Sequence, residues 1–194
     1  MYKGTSASAG IGIGKAVIVE EAELVITRQA VSDREAEIQR FKGALEQTIK
    51  DTERLAEDLA VRVGEKEAEI MQGHMMLLSD PMLTGEIENS IKNDGVNSEF
   101  AIENVCNMYA DMFASMGDEL MQQRATDMRD IKTRMQRVLM GIQSVDISSL
   151  PAGSILVAKD LTPSMTAGIN PANVTGIVTE LGGKTSHSAI LARA

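Results

Sequence analysis

From Val31-Ser32-Asp33-Arg34-Glu35 to Leu150 no β-strand signal appears, although short β-type segments stand on both sides, and this long interruption is what most constrains the fold. Ser32 and Glu35 have the spacing of a capping box, which predicts a helix start. Ile38, Phe41, Leu45, Ile49, Leu55 and Leu59 then recur mostly three or four apart with charges between them, predicting an amphipathic helix to about Val63, ended by Gly64. A second helix is predicted from about Glu65 to Leu78. Asp80 can cap a short third helix whose first residue is Pro81. Asn97-Ser98-Glu99 opens a fourth, striped by Phe100, Val105, Tyr109, Met112, Phe113 and Met116 up to Gly117, and Asp118 opens a fifth to about Ile142.

The flanks carry the β signal. Between Lys3 and Thr27 three short β-type pieces are predicted: a first one broken around Gly10, Gly12 and Gly14, then Ala16–Val19, then Leu24–Ile26. The glycine-rich string ends in Gly14-Lys15-Ala16, but a phosphate loop needs glycine where Ala9 stands and Ser or Thr where Ala16 stands. These glycines are therefore expected to permit bends and close strand packing. After Leu150-Pro151-Ala152-Gly153, Ile155–Ala158 and Val174–Val178 read as buried strands, separated by a turn in which Thr162 can cap a short helix begun by Pro163. Strands on both sides are most simply joined in one sheet. The expected architecture is an α/β subdomain from residues 1–30 and 144–194, with an all-α helical subdomain, residues 31–143, inserted into it.

Composition narrows the function classes. The net charge of -9 argues against a nucleic-acid partner and for either ordinary solubility or a basic protein partner. Three Phe, two Tyr and no Trp leave little for stacking bases or sugars, whereas thirteen Met suit adaptable helix packing or an adaptable contact surface. The lone Cys106 lies among helical apolar residues and reads as a small core residue. No signal segment or membrane-spanning run is evident, so the expectation is a cytoplasmic protein with no membrane partner. Two His, one Cys and no carboxylate trio at ligand spacing around His74 make metal chemistry a poor expectation, and no cofactor is expected in this chain.

The chemistry concentrates near the end, in Gly182-Gly183-Lys184-Thr185-Ser186-His187-Ser188-Ala189-Ile190-Leu191-Ala192-Arg193. An apolar strand gives way to a glycine pair, which relieves the steric limits of a sharp turn, and Thr185 or Ser186 can cap the helix that follows. His187 then falls in the first helical turn beside unpaired backbone N–H groups, a place that favours an anion. A histidine there can attack an electrophilic phosphorus and have the phosphoryl oxygens held nearby.

This twelve-residue pattern resembles the phosphohistidine signature of the phosphoenolpyruvate-utilising enzymes. The string from Ser6 to Ala16 is similar to the opening of that family's enzyme I branch, and the helical insertion points to the same branch. The resemblance implies an α/β phosphohistidine (swivelling) subdomain with an inserted helical subdomain that binds the small carrier protein HPr. It implies that His187 takes a phosphoryl group from phosphoenolpyruvate and passes it to a histidine of HPr, acting as a neutral imidazole through the ring nitrogen far from the backbone. The family's Leu-Thr-Pro-Ser-x-Thr-Ala segment is matched by Leu161 to Ala167, so Thr166 is expected to orient His187, with Ser186 and Arg193 holding phosphate.

The string from Glu67 to Asp80 is similar to the enzyme I helix that docks HPr, and that from Arg124 to Ile131 resembles a segment of a neighbouring helix, which together imply partner-binding roles for Glu67, His74, Met76, Leu77, Asp80, Leu83 and Arg124. Arg129 and Asp130 are left as a charged helix face with intrahelical pairs. The family's phosphoenolpyruvate- and Mg²⁺-binding barrel, which also makes its dimer, is not in this sequence. The α/β subdomain is accordingly expected to be truncated within its last helix, the fragment to be a monomer, and phosphoenolpyruvate alone not to phosphorylate it. Two other readings stay open: another phosphoenolpyruvate-utilising phosphotransferase, such as the nitrogen-branch relative, and a non-enzymatic acidic helical adaptor in which His187 is incidental.

Overall fold

The computed structural model describes residues 4–183 and 186–193, with His187 and Leu191 described by their backbone alone. The chain divides into two compact units. One comprises Met1–Ala22, Leu55–Glu69 and Val145–Ala194, and the other Glu23–Arg54 and Ile70–Ser144.

The first unit is built on a parallel sheet of β1 (Lys15–Val19), β2 (Ser154–Ala158) and β3 (Val174–Thr179), in that order. Register aligns Val17 with Leu156 and Leu156 with Ile177. Because side chains alternate along a strand, Val17, Val19, Leu156, Ala158 and Ile177 share one face, where Ile147, Leu150, Leu161 and Ile169 complete a small core. The β2–β3 connection carries the short helix α6 (Pro163–Ala167), and β3 leads through Gly182, at φ 100°, to α7 (His187–Leu191).

Two of the expected β pieces are not strands. Residues 4–14 pair in no ladder, yet Gly12 lies so close to the Thr175 carbonyl, and Gly14 to that of Gly153, that a Cβ on either would collide with backbone. Leu24–Ile26 is irregular, with Val25 76 % exposed, since its β propensity finds no neighbouring strand to pack on. The chain turns instead toward the helical unit, where Ala30 bridges Val96 and the Gln29 carbonyl accepts the Asn97 N–H at 3.0 Å.

The helices are α1 (Arg34–Arg62), α2 (Glu65–Leu78), α3 (Pro81–Asp94), α4 (Ser98–Ser115) and α5 (Glu119–Met140). Asp33, rather than Ser32, caps α1 by accepting the Ala36 N–H at 3.0 Å. Asp80 and Asp118 cap α3 and α5, accepting from Met82 and Met121, as their positions before Pro81 and Glu119 predict. Asn97 precedes α4, but its side chain accepts from Gln29 N and donates to Glu99 instead of capping. Within the second unit α3 packs on α4 and α4 on α5. Phe41, Leu78, Leu83, Ile87, Ile91, Ile102, Met128, Ile131 and Met135 form its core, the apolar stripes fusing into one interior.

The observed division departs from the expected 1–30, 31–143 and 144–194 boundaries. Residues 23–30 group with the helices through the Gln29, Ala30 and Val31 backbone bonds, whereas Leu55–Glu69 groups with the sheet. Arg62 supplies one reason, since its guanidinium bonds the backbone of residues 167–169.

Candidate functional site

His187 is the first residue of α7, and Ser186 is its N-cap, as the helix-start signal predicts. The Ser186 hydroxyl donates to the Gly183 carbonyl at 2.9 Å and accepts the Ala189 N–H at 3.3 Å. It also lies 3.0 Å from the Ser188 hydroxyl. Ser186 therefore satisfies one N–H of the first turn itself, and α7 has only five residues, which limits what its dipole adds to anion binding. Lys184 and Thr185 lie outside the described residues.

Helix α6 packs against α7. Thr162 caps α6 by accepting the Met165 N–H at 3.3 Å, and Pro163 takes the first helical position. Thr166 is buried, and its hydroxyl donates to the Thr162 carbonyl at 2.9 Å. With its proton committed to that carbonyl, the Thr166 oxygen is left as an acceptor. Arg193 lies just beyond the C-terminal end of α7, exposed, its Nη1 donating to the Ala7 carbonyl at 3.3 Å.

The residues expected to dock a partner separate into two groups. Met76 is 69 % exposed on α2, and Met82 on α3 is equally exposed. Asp80 and Arg124 are half-buried, the Asp80 carboxylate accepting from Met82 N and Arg124 standing 4.0 Å from Asp127. Leu77 is half-buried against the core, and Glu67 is half-buried in the other unit.

His74 and Leu83 do not lie on a surface. Leu83 is buried in register with Ile87 and Ile91 along α3. His74 is fully buried, with Nε2 3.3 Å from Asp127 Oδ1 and Nδ1 4.0 Å from Asp130 Oδ2. Asp130, read from the sequence as part of a charged face, is buried too, and Arg129 pairs across to Asp111 at 3.7 Å rather than within its helix. Spacing carried the signal for His74. Met71, His74 and Leu78 fall three and four apart on the stripe that α2 turns inward.

Burial pushes the Cys106 thiol up to about 12, with nearby Lys132 only partly opposing it, so it is an inert core group. Among the described residues no group of three His, Cys, Asp or Glu could hold a metal ion, and no helix is long and apolar enough to cross a membrane.

The chain thus combines a small parallel sheet, carrying a histidine at the head of the helix after β3, with a helical unit. The family model described as PEP-utilising enzyme, N-terminal, matches residues 3–124, and that described as PEP-utilising enzyme, mobile domain, matches residues 150–194. The chain belongs to the PEP-utilising enzyme family. More particularly, it is 41 % identical over 191 residues to a phosphoenolpyruvate-protein phosphotransferase of Bacillus subtilis, and 42 % identical over 191 residues to one of Listeria monocytogenes. Each alignment covers 98 % of this chain but only 34 % and 33 % of those relatives, so the chain spans about a third of their length. The fold matches a solution structure of Enzyme I (nEIt) with a TM-score of 0.86 at 39 % identity, over 99 % of this chain and 78 % of that one. The N-terminal domain of Enzyme 1 - Nitrogen matches less well, with a TM-score of 0.67 at 26 % identity over 96 % of this chain and 77 % of that one.

Proposed function

We propose that this chain is the phosphoryl-carrier part of a phosphoenolpyruvate-protein phosphotransferase, with His187 as the carrier. The observation that carries the proposal is the packing of α6 on α7 inside the stretch matched by the mobile-domain model, since it joins the Thr166 helix to the His187 helix. In the first step the far ring nitrogen of neutral His187 bonds to the phosphorus of phosphoenolpyruvate, and the bond to the enol oxygen breaks. Enolpyruvate leaves and is protonated to pyruvate. In the second step a neutral histidine of HPr attacks the same phosphorus, and His187 leaves with its electron pair restored. The role proposed for Thr166, whose hydroxyl donates to the Thr162 carbonyl, is to accept the other ring N–H and so select the tautomer whose far nitrogen is nucleophilic. Ser186 and Arg193 remain the candidates for holding phosphoryl oxygens.

Phosphoenolpyruvate and Mg²⁺ belong to a barrel domain outside this chain. Among the described residues no group of three His, Cys, Asp or Glu could hold Mg²⁺. HPr docks on the helical unit around Met76, Leu77, Asp80 and Arg124, its basic surface meeting an acidic chain, in the cytoplasm. The sugar-branch reading is favoured over the nitrogen branch by the higher TM-score and identity of the first structural match.

The test is incubation of this chain with phosphorylated HPr. Acid-labile phosphate on His187, absent from a folded His187→Ala variant, is the expected result. Binding without transfer would favour the adaptor reading, and an alanine variant that still gained the phosphate would refute the assignment.

A further inference from the structure

We infer that Arg62 is a positioning residue for the phosphoryl transfer, acting through α6; the inference rests on the function proposed above. Arg62 is the last residue of α1. Its Nε donates to the Asp58 carbonyl of its own helix at 3.1 Å. Its Nη1 donates to the carbonyls of Gly168 at 3.1 Å and Ile169 at 2.7 Å, and its Nη2 to that of Ala167 at 2.9 Å. One guanidinium thus holds three successive carbonyls at the C-terminal end of α6.

That of Ala167 is one a helix leaves without an internal partner, and those of Gly168 and Ile169 follow it directly. A five-residue helix is too short to persist by propensity and depends on bonds from outside. Gly168, which closes α6 at φ -73°, bonds the Ser164 and Met165 carbonyls through its own N–H, and the Ile169 N–H takes that of Thr166; Arg62 takes the three carbonyls that follow, where a cation at a helix C-terminus is electrostatically favourable. Thr166 immediately precedes the first clamped residue and shares the last turn of α6 with it. Because α6 packs on α7, any drift of that turn moves the Thr166 hydroxyl relative to the helix that bears His187. Lysine cannot replace the clamp, since a single ammonium lacks the planar fork that spans adjacent carbonyls.

The test uses the full chain with phosphorylated HPr as donor and two readouts. In Arg62→Met the rate of phosphoryl transfer to His187 should fall about tenfold to a hundredfold, the scale expected for a misplacement of about 1 Å. HPr affinity should stay within about twofold, because the docking residues are untouched. The second readout is the neutral tautomer of His187, followed by ¹⁵N NMR: one tautomer in the unsubstituted chain and a mixture in Arg62→Met. Arg62→Lys, which keeps the charge, should fall between them, and it carries the test if Arg62→Met does not fold.

Arg62→Met combined with Thr166→Val should be no slower than Thr166→Val alone, because both act on one hydroxyl. Unchanged rate and tautomer in Arg62→Met, or additive effects in the double variant, would overturn the inference. A loss of stability with the tautomer ratio intact would also overturn it, marking Arg62 as a structural clamp only. If the unsubstituted chain took no phosphate on His187, the proposed function would fail instead, while the tautomer readout would still decide the role of Arg62.

Discussion

Replacing His74 by alanine should destabilise the helical unit and leave partner docking intact in the folded protein. The imidazole is buried between Asp127 and Asp130, so its removal leaves two buried carboxylates facing vacated volume. Leaving a buried group without its hydrogen-bond donor costs about 1–3 kcal/mol, and more where the group is charged. Breaking a buried ion pair from one side costs about 3–5 kcal/mol. The two ranges meet at about 3 kcal/mol. Arg124, 4.0 Å from the other oxygen of Asp127, keeps the loss near that lower figure rather than at the top of the range. With a urea dependence of about 2 kcal/mol per molar, the unfolding midpoint should fall by about 1.5 M. Urea titrations followed by circular dichroism would measure that shift, and titration with HPr at low temperature without urea would measure docking. An unchanged midpoint together with binding weakened tenfold or more would refute the reasoning and return His74 to the docking surface.

Leu83→Ala should cost the helical unit about 2–5 kcal/mol by the same denaturation assay, because Leu83 is core. Met76→Ala should leave the urea midpoint nearly unchanged but weaken HPr binding, as read by calorimetry. Gly14→Ala should cost about 1–3 kcal/mol, since its Cβ would meet the Gly153 carbonyl, and hydrogen exchange should locate the loss at the β1–β2 pairing. Stability of the helical unit should fall as pH drops below about 4.5. Burial alone would raise Glu37 and Glu103. It is outweighed at Glu37 by hydrogen bonds from Arg40 and the Ser98 N–H, and at Glu103 by Gln136, Asn107 and Lys132, so both carboxyls lie below their ordinary value of 4.5. Groups lowered on folding contribute stability above the unfolded value and lose it as pH falls through the folded one. Urea midpoints at pH 6, 4.5 and 3 would show this, with a shallower slope expected for Glu37→Gln.

Signals confined to one helix or one turn were legible without a fold. Asp80-Pro81, Asp118, Thr162-Pro163 and Ser186 mark helix starts because a cap needs only a side-chain oxygen and an N–H two or three residues on. The three strands Lys15–Val19, Ser154–Ala158 and Val174–Thr179 were also legible, being short apolar runs between glycine and proline breaks. Leu24–Ile26 carries the same composition, yet it stays irregular, because a strand exists only where a neighbour supplies its hydrogen bonds.

The sequence by itself determined the helical insertion, its caps, the strands of the sheet and the histidine at the head of α7, since each rests on periodicity or on contacts a few residues apart. Only the tertiary structure decided that His74 and Leu83 face inward, that Asp130 is buried beside His74, and that Arg62 bonds the backbone at the end of α6. His74 and Asp127 are 53 residues apart, and Arg62 and Ile169 are 107 apart. No local pattern encodes such pairs, because a side chain's partner is set by which helices and turns the closed core brings together.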